Sequence, residues 1–360
     1  MRAPRDARAC GITFVQSVAP TVSRIVELDA LRGLAALAVV AFHYTTHYEN
    51  EVGHLGAVPW TFSFGNYGVN LFFLISGFVI FMTLERTRSA LDFVVSRFSR
   101  LFPAYWVAIL VSAAVVYSIG MHAQRLPWSD VVLDFTMIQD LLGGEHLDGS
   151  YWTLQVELFF YAQMLVWFLL GQLQRIRWII VAWLVVAVFF GLAEKNHMHV
   201  SHTLRELSIA RHIPYFAIGI LFYRVHTRPQ DRSGDIGLVG LCLLAIAVAY
   251  EPVYLEAAAI CVAIFALFTA GFLGGLRWAP FAELGAISYS LYLLHQAIGF
   301  SLIWQFERSG MSSSVAAMAA VVLVTLLAWA LTRCVERPAL RAIRGAWNRH
   351  RAASASPDPA

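Results

Sequence analysis

Ten apolar blocks of about 20 residues or slightly fewer constrain the fold of this chain more than any other feature. An α-helix of about 20 residues crosses the roughly 30 Å hydrocarbon core of a bilayer, because it rises about 1.5 Å per residue. The blocks lie at 31–49, 67–85, 103–120, 152–171, 178–194, 212–226, 236–250, 254–273, 284–305 and 313–333. They predict an all-α integral membrane protein with about ten transmembrane helices.

The composition of the chain supports the same class. Hydrophobic residues make up 59% of the 360 residues, charged residues only 14%, and the mean hydropathy is +0.63. A chain this apolar, with its apolar residues in long blocks, is typical of multi-pass membrane proteins. The lipid bilayer is therefore the first expected partner, whereas a net charge of +3 does not indicate nucleic acid, so we expect no nucleic-acid partner.

The blocks leave room for one membrane domain between two tails. We expect residues 1–23 to form a disordered N-terminal tail, 24–338 the transmembrane domain, and 339–360 a basic cytoplasmic tail. A shorter apolar run at 131–142 contains two aspartates, so we interpret it as a re-entrant or interfacial segment. None of the four cysteines stands in a CxxC pair, so we expect neither a disulfide framework nor a metal site.

Basic residues alternate between the connecting segments and predict the orientation. They concentrate in 86–102, 172–177, 227–235 and the C-terminal tail, whereas the segment 50–66 contains none. By the positive-inside rule the basic segments are cytoplasmic, and an even number of spans then places both termini in the cytoplasm. The segment 195–211 holds three basic residues and fits this pattern less well.

Arg32 and His43 are ionisable residues in the first block, where burial in lipid costs several kcal/mol. They are eleven residues apart, which places both on one helix face at about 100° per residue, about 16 Å apart along the axis. On the predicted orientation Arg32 lies at the cytoplasmic edge, beside Asp29 at i,i+3, and His43 lies in the outer half. The alternative is that Asp29 and Arg32 only anchor the helix and that His43 makes an interhelical hydrogen bond.

A second polar position lies in SYWTLQVELFFY, residues 150–161. Trp152 suits the outer interface, and Glu157 follows about 8 Å deeper in the helix. At this depth we expect its carboxylate to meet His43, fix the tautomer of the ring and raise the basicity of the free nitrogen. The alternative is a neutral Glu157 that hydrogen-bonds a neighbouring helix.

Two arginines, Arg97 and Arg100, precede the third block in SRFSRLFPAYW, residues 96–106. Spaced at i and i+3, they share one face of a helix, and two guanidinium groups on one face form a clamp of phosphate size. We expect Pro103 to lie at the start of the following helix, where proline is favoured. The alternative is that both arginines are ordinary cytoplasmic anchors.

Polar side chains interrupt two further blocks. In ISYSLYLLHQ, Tyr292 and His295 lie on a polar stripe that we expect to face protein or water rather than lipid. In YGVNLFFLISGFVI, Asn70 and Ser76 are polar, and Gly77 allows a neighbouring helix to approach closely.

Taken together, these stretches resemble the acyltransferase family 3 membrane proteins, many of which O-acylate bacterial surface carbohydrates. The resemblance rests on an arginine and a histidine separated by ten residues, followed by GVNLFFLISGF, RxxRLxPxYW, SYWTLQVE and SYSLYLLH. These motifs cover about 27–338, and Ala30 stands where glycine is frequent in the family. The chain resembles the stand-alone form, without the extra extracellular domain of some relatives.

The resemblance implies a multi-pass O-acyltransferase of the bacterial inner membrane. Acyl-coenzyme A, with acetyl-coenzyme A as the first candidate, is then the co-substrate, without a permanently bound cofactor, and a carbohydrate or lipid-linked sugar is the acceptor. His43 is the expected general base and Glu157 the group that orients it. Arg97 and Arg100 are expected to bind the donor phosphates, and Arg32 to hold the donor or line its path. The expected supporting residues are Asp29, Asn70, Ser76, Tyr105, Trp152, Tyr292 and His295.

Two other functional classes stay open at the level of the sequence. Buried His, Glu and Arg side chains also suit a proton-coupled transporter or flippase of a glycan or lipid-linked sugar. A membrane sensor or scaffold would tolerate the loss of these side chains. The sequence does not distinguish direct transfer from an acyl-histidine intermediate, and it contains no GxSxG motif that would indicate a serine nucleophile.

Overall fold

The computed structural model describes residues 25–355, and no β-strand occurs in this range. The predicted all-α class is therefore confirmed. The predicted N-terminal tail and the last five residues of the chain lie outside the described residues. The α-helices are α1 (Val26–Phe42), α2 (Tyr48–Glu51), α3 (Gly68–Arg86), α4 (Ala90–Ile119), α5 (Trp128–Asp134), α6 (Trp152–Leu169), α7 (Ile176–Lys195), α8 (His202–Ser208), α9 (Ile213–Thr227), α10 (Arg232–Ala249), α11 (Pro252–Thr269), α12 (Ala279–Arg308), α13 (Ser313–Leu331) and α14 (Arg337–Ala355).

Shorter helical turns complete the described part of the chain. Two π-helical turns continue longer helices: His43–His47 follows α1, and Thr332–Glu336 joins α13 to α14. Turns of this type often occur at functional sites. The 3-10 turns are Ser63–Tyr67, His122–Gln124, Gln139–Leu142, Gly149–Tyr151, Leu173–Arg175, Pro229–Asp231 and Gly274–Arg277.

Seven helical stretches within 25–355 are long and apolar enough to cross a membrane. They confirm a multi-pass membrane protein. They are Ser63–Arg86, Ala90–Ile119, Leu173–Lys195, Pro229–Ala249, Pro252–Thr269, Ala279–Arg308 and Ser313–Ser354.

The other three predicted spans coincide with α1, α6 and α9, which have 17, 18 and 15 residues. Helix α9 is buried from Ile213 to Val225 by its neighbours, so the surrounding protein rather than lipid sets its length. The count of ten spans and the cytoplasmic position of both termini remain predictions. The run at 131–142 is divided between α5 and a 3-10 turn, neither of which has the length of a span.

Helix α4 begins earlier than the sequence predicted. It starts at Ala90, so Pro103 lies in its interior, and the expectation of a helix start at this proline was wrong. Membrane helices tolerate an internal proline because neighbouring groups satisfy the freed backbone carbonyl. Arg97 and Arg100 therefore belong to the same continuous helix as the apolar span.

Close contacts at glycines bring the central helices together. A Cβ atom on Gly33 of α1 would lie 2.7 Å from the backbone nitrogen of Gly285 in α12. A Cβ atom on Gly77 of α3 would lie 2.1 Å from the carbonyl oxygen of Phe216 in α9. Such separations leave no space for a larger residue, so the backbones of each pair touch directly. The first crossing fixes α1 against α12, the two helices that carry the histidines.

Helix α14 is docked against the beginning of α4. The indole nitrogen of Trp347 donates to Asp92 at 2.7 Å, and Arg351 donates to both carboxylate oxygens of Asp92 at 2.8 Å. The described part of the predicted C-terminal tail is therefore a helix that packs on the membrane domain. This contact brings the basic face of α14 to the cytoplasmic end that the arginine pattern predicts.

Candidate active site

A cavity of about 250 Å³ lies between α1, α3, α4, α6, α12 and α14. Its charged residues are four arginines and one glutamate, so its walls are strongly positive. Its polar lining consists of Arg32, Arg97, Arg100, Thr153, Glu157, Tyr161, Ser288, Tyr289, Tyr292 and Arg344. The structure thus brings together the three arginines, the glutamate and one tyrosine that the sequence singled out.

Glu157 belongs to this cavity and not to the surroundings of His43. Its carboxylate accepts hydrogen bonds from Ser76, at 2.8 Å, and from Tyr161 on the next turn of α6. None of the hydrogen bonds among residues 25–355 joins it to a histidine. The expected contact between Glu157 and His43 is therefore wrong, because equal depth in two helices does not place two side chains on facing sides.

Arg100 has a carboxylate partner that the sequence analysis missed. Its guanidinium forms a salt bridge with Glu336, a buried residue of the π-helical turn between α13 and α14. Glu336 also accepts hydrogen bonds from Ser290 at 2.9 Å and Thr332 at 3.3 Å. The charge of Arg100 is compensated in this way, so the expected clamp of Arg97 with Arg100 needs correction.

Arg97 and Arg32 have less compensation. The Arg97 guanidinium lies 5.9 Å from the ring centre of Phe93 and 5.8 Å from that of Tyr161, and it donates to Ser96 at 3.0 Å. Arg32 lies 3.9 Å from Asp29, the predicted i,i+3 partner. This separation marks a loose ion pair. Both guanidinium groups are therefore available to an anionic ligand in the cavity.

The two buried histidines of α1 and α12 contact each other. Nδ1 of His43 lies 2.9 Å from the carbonyl oxygen of Val39, and Nδ1 of His295 lies 2.7 Å from that of Tyr292. A carbonyl only accepts hydrogen bonds, so both rings carry a proton on Nδ1. Nε2 of His295 then accepts from Nδ1 of His43 at 3.3 Å.

This network leaves one nitrogen with an unused lone pair. Nε2 of His43 takes part in no hydrogen bond within the described part of the chain. The ring lies 5.1 Å from that of His47 and 6.5 Å from that of Phe300. His43 is also the first residue of the π-helical turn after α1. A neutral imidazole in this arrangement is suited to remove or accept a proton at Nε2.

The carboxylate near His43 is that of Asp148, which the sequence analysis did not select. It is completely buried and interacts electrostatically with His43. Its oxygens accept from the backbone nitrogen of Ser150 at 2.9 Å, the hydroxyl of Ser150 at 2.5 Å and the backbone nitrogen of Ala297 at 2.8 Å. Burial raises the pKa of the Asp148 carboxyl, and these hydrogen bonds oppose the rise. Its position directly before SYWTLQVE was the available signal.

Tyr292 separates the cavity from the histidines. Its side chain lines the cavity, and its hydroxyl accepts from Thr153 at 2.8 Å. Its ring centre lies 5.3 Å from that of His295, whose ring centre lies 4.7 Å from that of His43. The order from the cavity inwards is therefore Tyr292, His295 and His43.

Three further residues from the sequence analysis lie outside the cavity lining. Asn70 is buried, and its side-chain nitrogen has no hydrogen-bond partner among the described residues. Tyr105 is buried with its ring centre 5.0 Å from that of Tyr151. Trp152 is partly exposed and packs against His212, with 5.2 Å between ring centres. The geometry gives them structural contacts and no direct contact with the cavity.

Comparison with known proteins identifies relatives along nearly the whole chain. A family model described as an acyltransferase domain matches residues 25–333. The chain is 27% identical to acyltransferase MdmB of Streptomyces mycarofaciens, over 95% of this chain and 97% of that protein. It is 26% identical to the putative membrane-bound transacylase BcsY of Komagataeibacter xylinus, over 87% of this chain and 82% of that protein.

A shorter match and the search of solved structures complete the comparison. Over 28% of this chain and 15% of the relative, the sequence is 33% identical to the peptidoglycan O-acetyltransferase OatA of Listeria monocytogenes. No solved structure matches the chain. The match of the family model over most of the chain shows that this protein belongs to acyltransferase family 3 and is an acyltransferase that transfers groups other than aminoacyl groups.

Proposed function

We propose that the protein is an O-acyltransferase of the bacterial inner membrane that moves an acyl group from acyl-coenzyme A to a carbohydrate hydroxyl. The observation that carries the proposal is the short path from an arginine-lined cavity through Tyr292 to a buried histidine with an unused lone pair. The printed names of two relatives, a peptidoglycan O-acetyltransferase and a membrane-bound transacylase, support this class of reaction.

The donor is proposed to bind at the arginine end. Coenzyme A carries several phosphate groups, and guanidinium groups bind phosphate through charge-assisted, bidentate hydrogen bonds. The cavity lies beside the arginine-rich beginning of α4 and the docked helix α14, which the positive-inside rule assigns to the cytoplasm. This arrangement supports a cytoplasmic donor, with acetyl-coenzyme A as the first candidate.

His43 is proposed as the general base. Its Nε2 removes the proton of the acceptor hydroxyl while the oxygen attacks the thioester carbonyl carbon. The carbon–sulfur bond then breaks, and the departing coenzyme A thiolate takes the proton back from His43. In the charged intermediate form of the ring, Nδ1 donates to Val39 and His295, and Asp148 supplies a nearby negative charge. These groups take the orienting role that the sequence analysis gave to Glu157.

Glu157 has a different proposed role at the donor. It lies in the cavity that holds Arg32 and interacts electrostatically with that guanidinium. Its hydrogen bonds with Ser76 and Tyr161 fix the carboxylate in position. We assign it to the shape and charge of the donor site, where it limits the net positive charge.

The test of this proposal uses purified protein in detergent, without a sealed compartment. The enzyme is expected to consume acetyl-coenzyme A when envelope glycan fractions are supplied, and His43→Ala to lose this activity at an unchanged protein level. A transporter or flippase would show no such consumption, and full activity of His43→Ala would remove the proposed base. Mass spectrometry of envelope glycans from cells with and without the gene then identifies the acceptor.

A further inference from the structure

Two arginines from different helices meet at one hydroxyl on the wall of the cavity. Nη2 of Arg97 in α4 and Nη2 of Arg344 in α14 each donate to the Ser96 side-chain oxygen at 3.0 Å. Arg344 also donates to the Ser96 carbonyl and to the Ser99 hydroxyl, both at 3.3 Å. Both arginines line the cavity. Two positive charges are therefore held close together at the place where a ligand can reach them.

Neither guanidinium is neutralised by the protein. Among residues 25–355, no carboxylate oxygen lies within salt-bridge distance of Arg97 or Arg344, whereas their neighbour Arg100 is paired with Glu336. The Nε atom of Arg97 is buried and has no hydrogen-bond partner in the described part of the chain. Two adjacent cations repel each other, so a ligand with negative charge would relieve an unfavourable arrangement.

The position of Arg344 is fixed by the docking of α14. Trp347 and Arg351, three and seven residues further along the helix, both bind Asp92 of α4. Residues with these spacings lie on one helix face. The contacts hold the arginine of α14 beside the arginine of α4 before any ligand arrives, and a site prepared in this way loses little entropy on binding.

We propose that Arg97, Arg344 and Ser96 form a binding site for a phosphomonoester dianion, and that this group is the 3′-phosphate of the donor nucleotide. Two guanidinium groups match the charge of a monoester, which carries about −2 at neutral pH. Each phosphate of the diphosphate bridge carries only a single negative charge. The identification of the nucleotide rests on the proposed function, because coenzyme A contains one phosphomonoester. A phosphatidate headgroup offers the same chemistry from the lipid bilayer.

Binding measurements on the full chain in detergent, without acceptor, test this site. Acetyl-coenzyme A is expected to bind about tenfold more tightly than 3′-dephospho-acetyl-coenzyme A. Arg344→Gln is expected to lose about tenfold in affinity for the first compound and less than twofold for the second. Arg341→Gln is the matched control, because it removes the same charge from an exposed position on the same helix and lies outside the cavity lining.

Three results would overturn the proposal. They are equal affinity of the wild-type protein for the two donors, an equal loss for both donors in Arg344→Gln, and the same loss in Arg341→Gln. If Arg344→Gln does not fold, the wild-type comparison and Arg344→Lys decide. Lysine keeps the charge without the bidentate geometry, so that variant is expected to bind acetyl-coenzyme A severalfold more weakly, and wild-type affinity in it would contradict the site.

Two competitors distinguish the source of the phosphate. Adenosine 3′,5′-bisphosphate is expected to displace acetyl-coenzyme A from the wild-type protein more weakly than unlabelled donor, and hardly at all from Arg344→Gln. Displacement by phosphatidate micelles alone, and not by the bisphosphate, would assign the site to lipid and overturn the proposal. Donor binding that depends on Arg344 without acyl transfer would contradict the proposed function and leave the site intact. Acyl transfer that is insensitive to the 3′-phosphate would do the reverse.

Discussion

The arginine-lined cavity and the histidine pair lie on opposite sides of Tyr292 and treat charge in opposite ways. In the cavity, Arg97 and Arg344 keep their charges without a carboxylate partner among the described residues. At the pair, His43 and His295 donate to backbone carbonyls and fit neutral rings. The difference teaches which task each region suits: a charged wall binds anionic phosphate, whereas a base needs a neutral nitrogen.

The largest expected effect separates the two regions by kinetics. His43→Gln should lower kcat by about 10²–10⁴, because a general base contributes about this factor, while the KM for the donor stays within about twofold. Arg97→Gln should raise the KM for the donor about tenfold with a smaller change in kcat. Steady-state assays at varied acetyl-coenzyme A concentration measure both constants. His47→Gln is the control, because its ring contacts that of His43 but makes none of the network hydrogen bonds.

A kcat effect from Arg97→Gln as large as that from His43→Gln would break this separation. It would mean that the arginine acts on the reacting atoms and does not only hold the donor. A large increase in the donor KM for His43→Gln would likewise place the histidine in donor binding.

Asp148→Asn should have the next largest effect, about 10-fold to 100-fold on kcat. The carboxylate accepts from Ala297 two residues beyond His295 and lies near enough to influence His43. An amide lacks the negative charge and offers only one acceptor oxygen for the bonds of Ser150 and Ala297. Activity as a function of pH is the measurement, because a role through His43 shifts the acid limb of the profile. A merely structural role would lower the thermal stability and leave the profile in place, and Asp130→Asn is the control.

Glu157→Gln should have a smaller effect, a rise of about threefold to tenfold in the KM for the donor. Glutamine still accepts from Ser76 and Tyr161 but no longer balances the charge of Arg32. The pH profile of kcat should remain that of the wild type. A shifted profile with an unchanged KM would instead restore the role beside His43 that the sequence favoured.

The course of the spans was predictable from the sequence, and the pairing of side chains was not. Apolar length alone locates α3 and α13, because every backbone group in lipid must be satisfied within its own helix. Depth along a helix follows from residue number, and Arg32 indeed lies on the cavity while His43 lies beyond Tyr292. The rotation of one helix relative to another has no local signal, which explains why Glu157 was assigned to the wrong neighbour.

The missed residues show the same limit. Asp148 meets Ala297 across 149 positions, and Arg100 meets Glu336 across 236 positions. Both contacts depend on how α12 and α14 pack against α4, and nothing in the flanking sequence encodes that packing. Arg344 looked like one more basic residue of a tail because the docking of α14 on Asp92 is a tertiary contact.

The smallest expected effect on activity, and a distinct effect on stability, comes from Asp134 in the segment behind the histidine pair. Burial raises the pKa of its carboxyl to about 7, although a hydrogen bond from the Leu147 backbone nitrogen opposes the rise. In the unfolded chain the group ionises near its ordinary value of 3.8. Between these values the unfolded state loses the proton first, so this group lowers the stability of the folded state as the pH rises from about 4 to about 7.

Asp134→Asn removes this dependence, since an amide does not ionise. The advantage of the variant over the wild type in free energy of unfolding should grow by roughly 2 kcal/mol between pH 5 and pH 8. Thermal unfolding in detergent at the two pH values measures it, with Asp130→Asn as the control. An advantage that does not change with pH would show that the carboxyl is ionised in the folded protein. The contrast between a desolvated histidine side and a charged cavity would then not extend to the segment that carries Asp148.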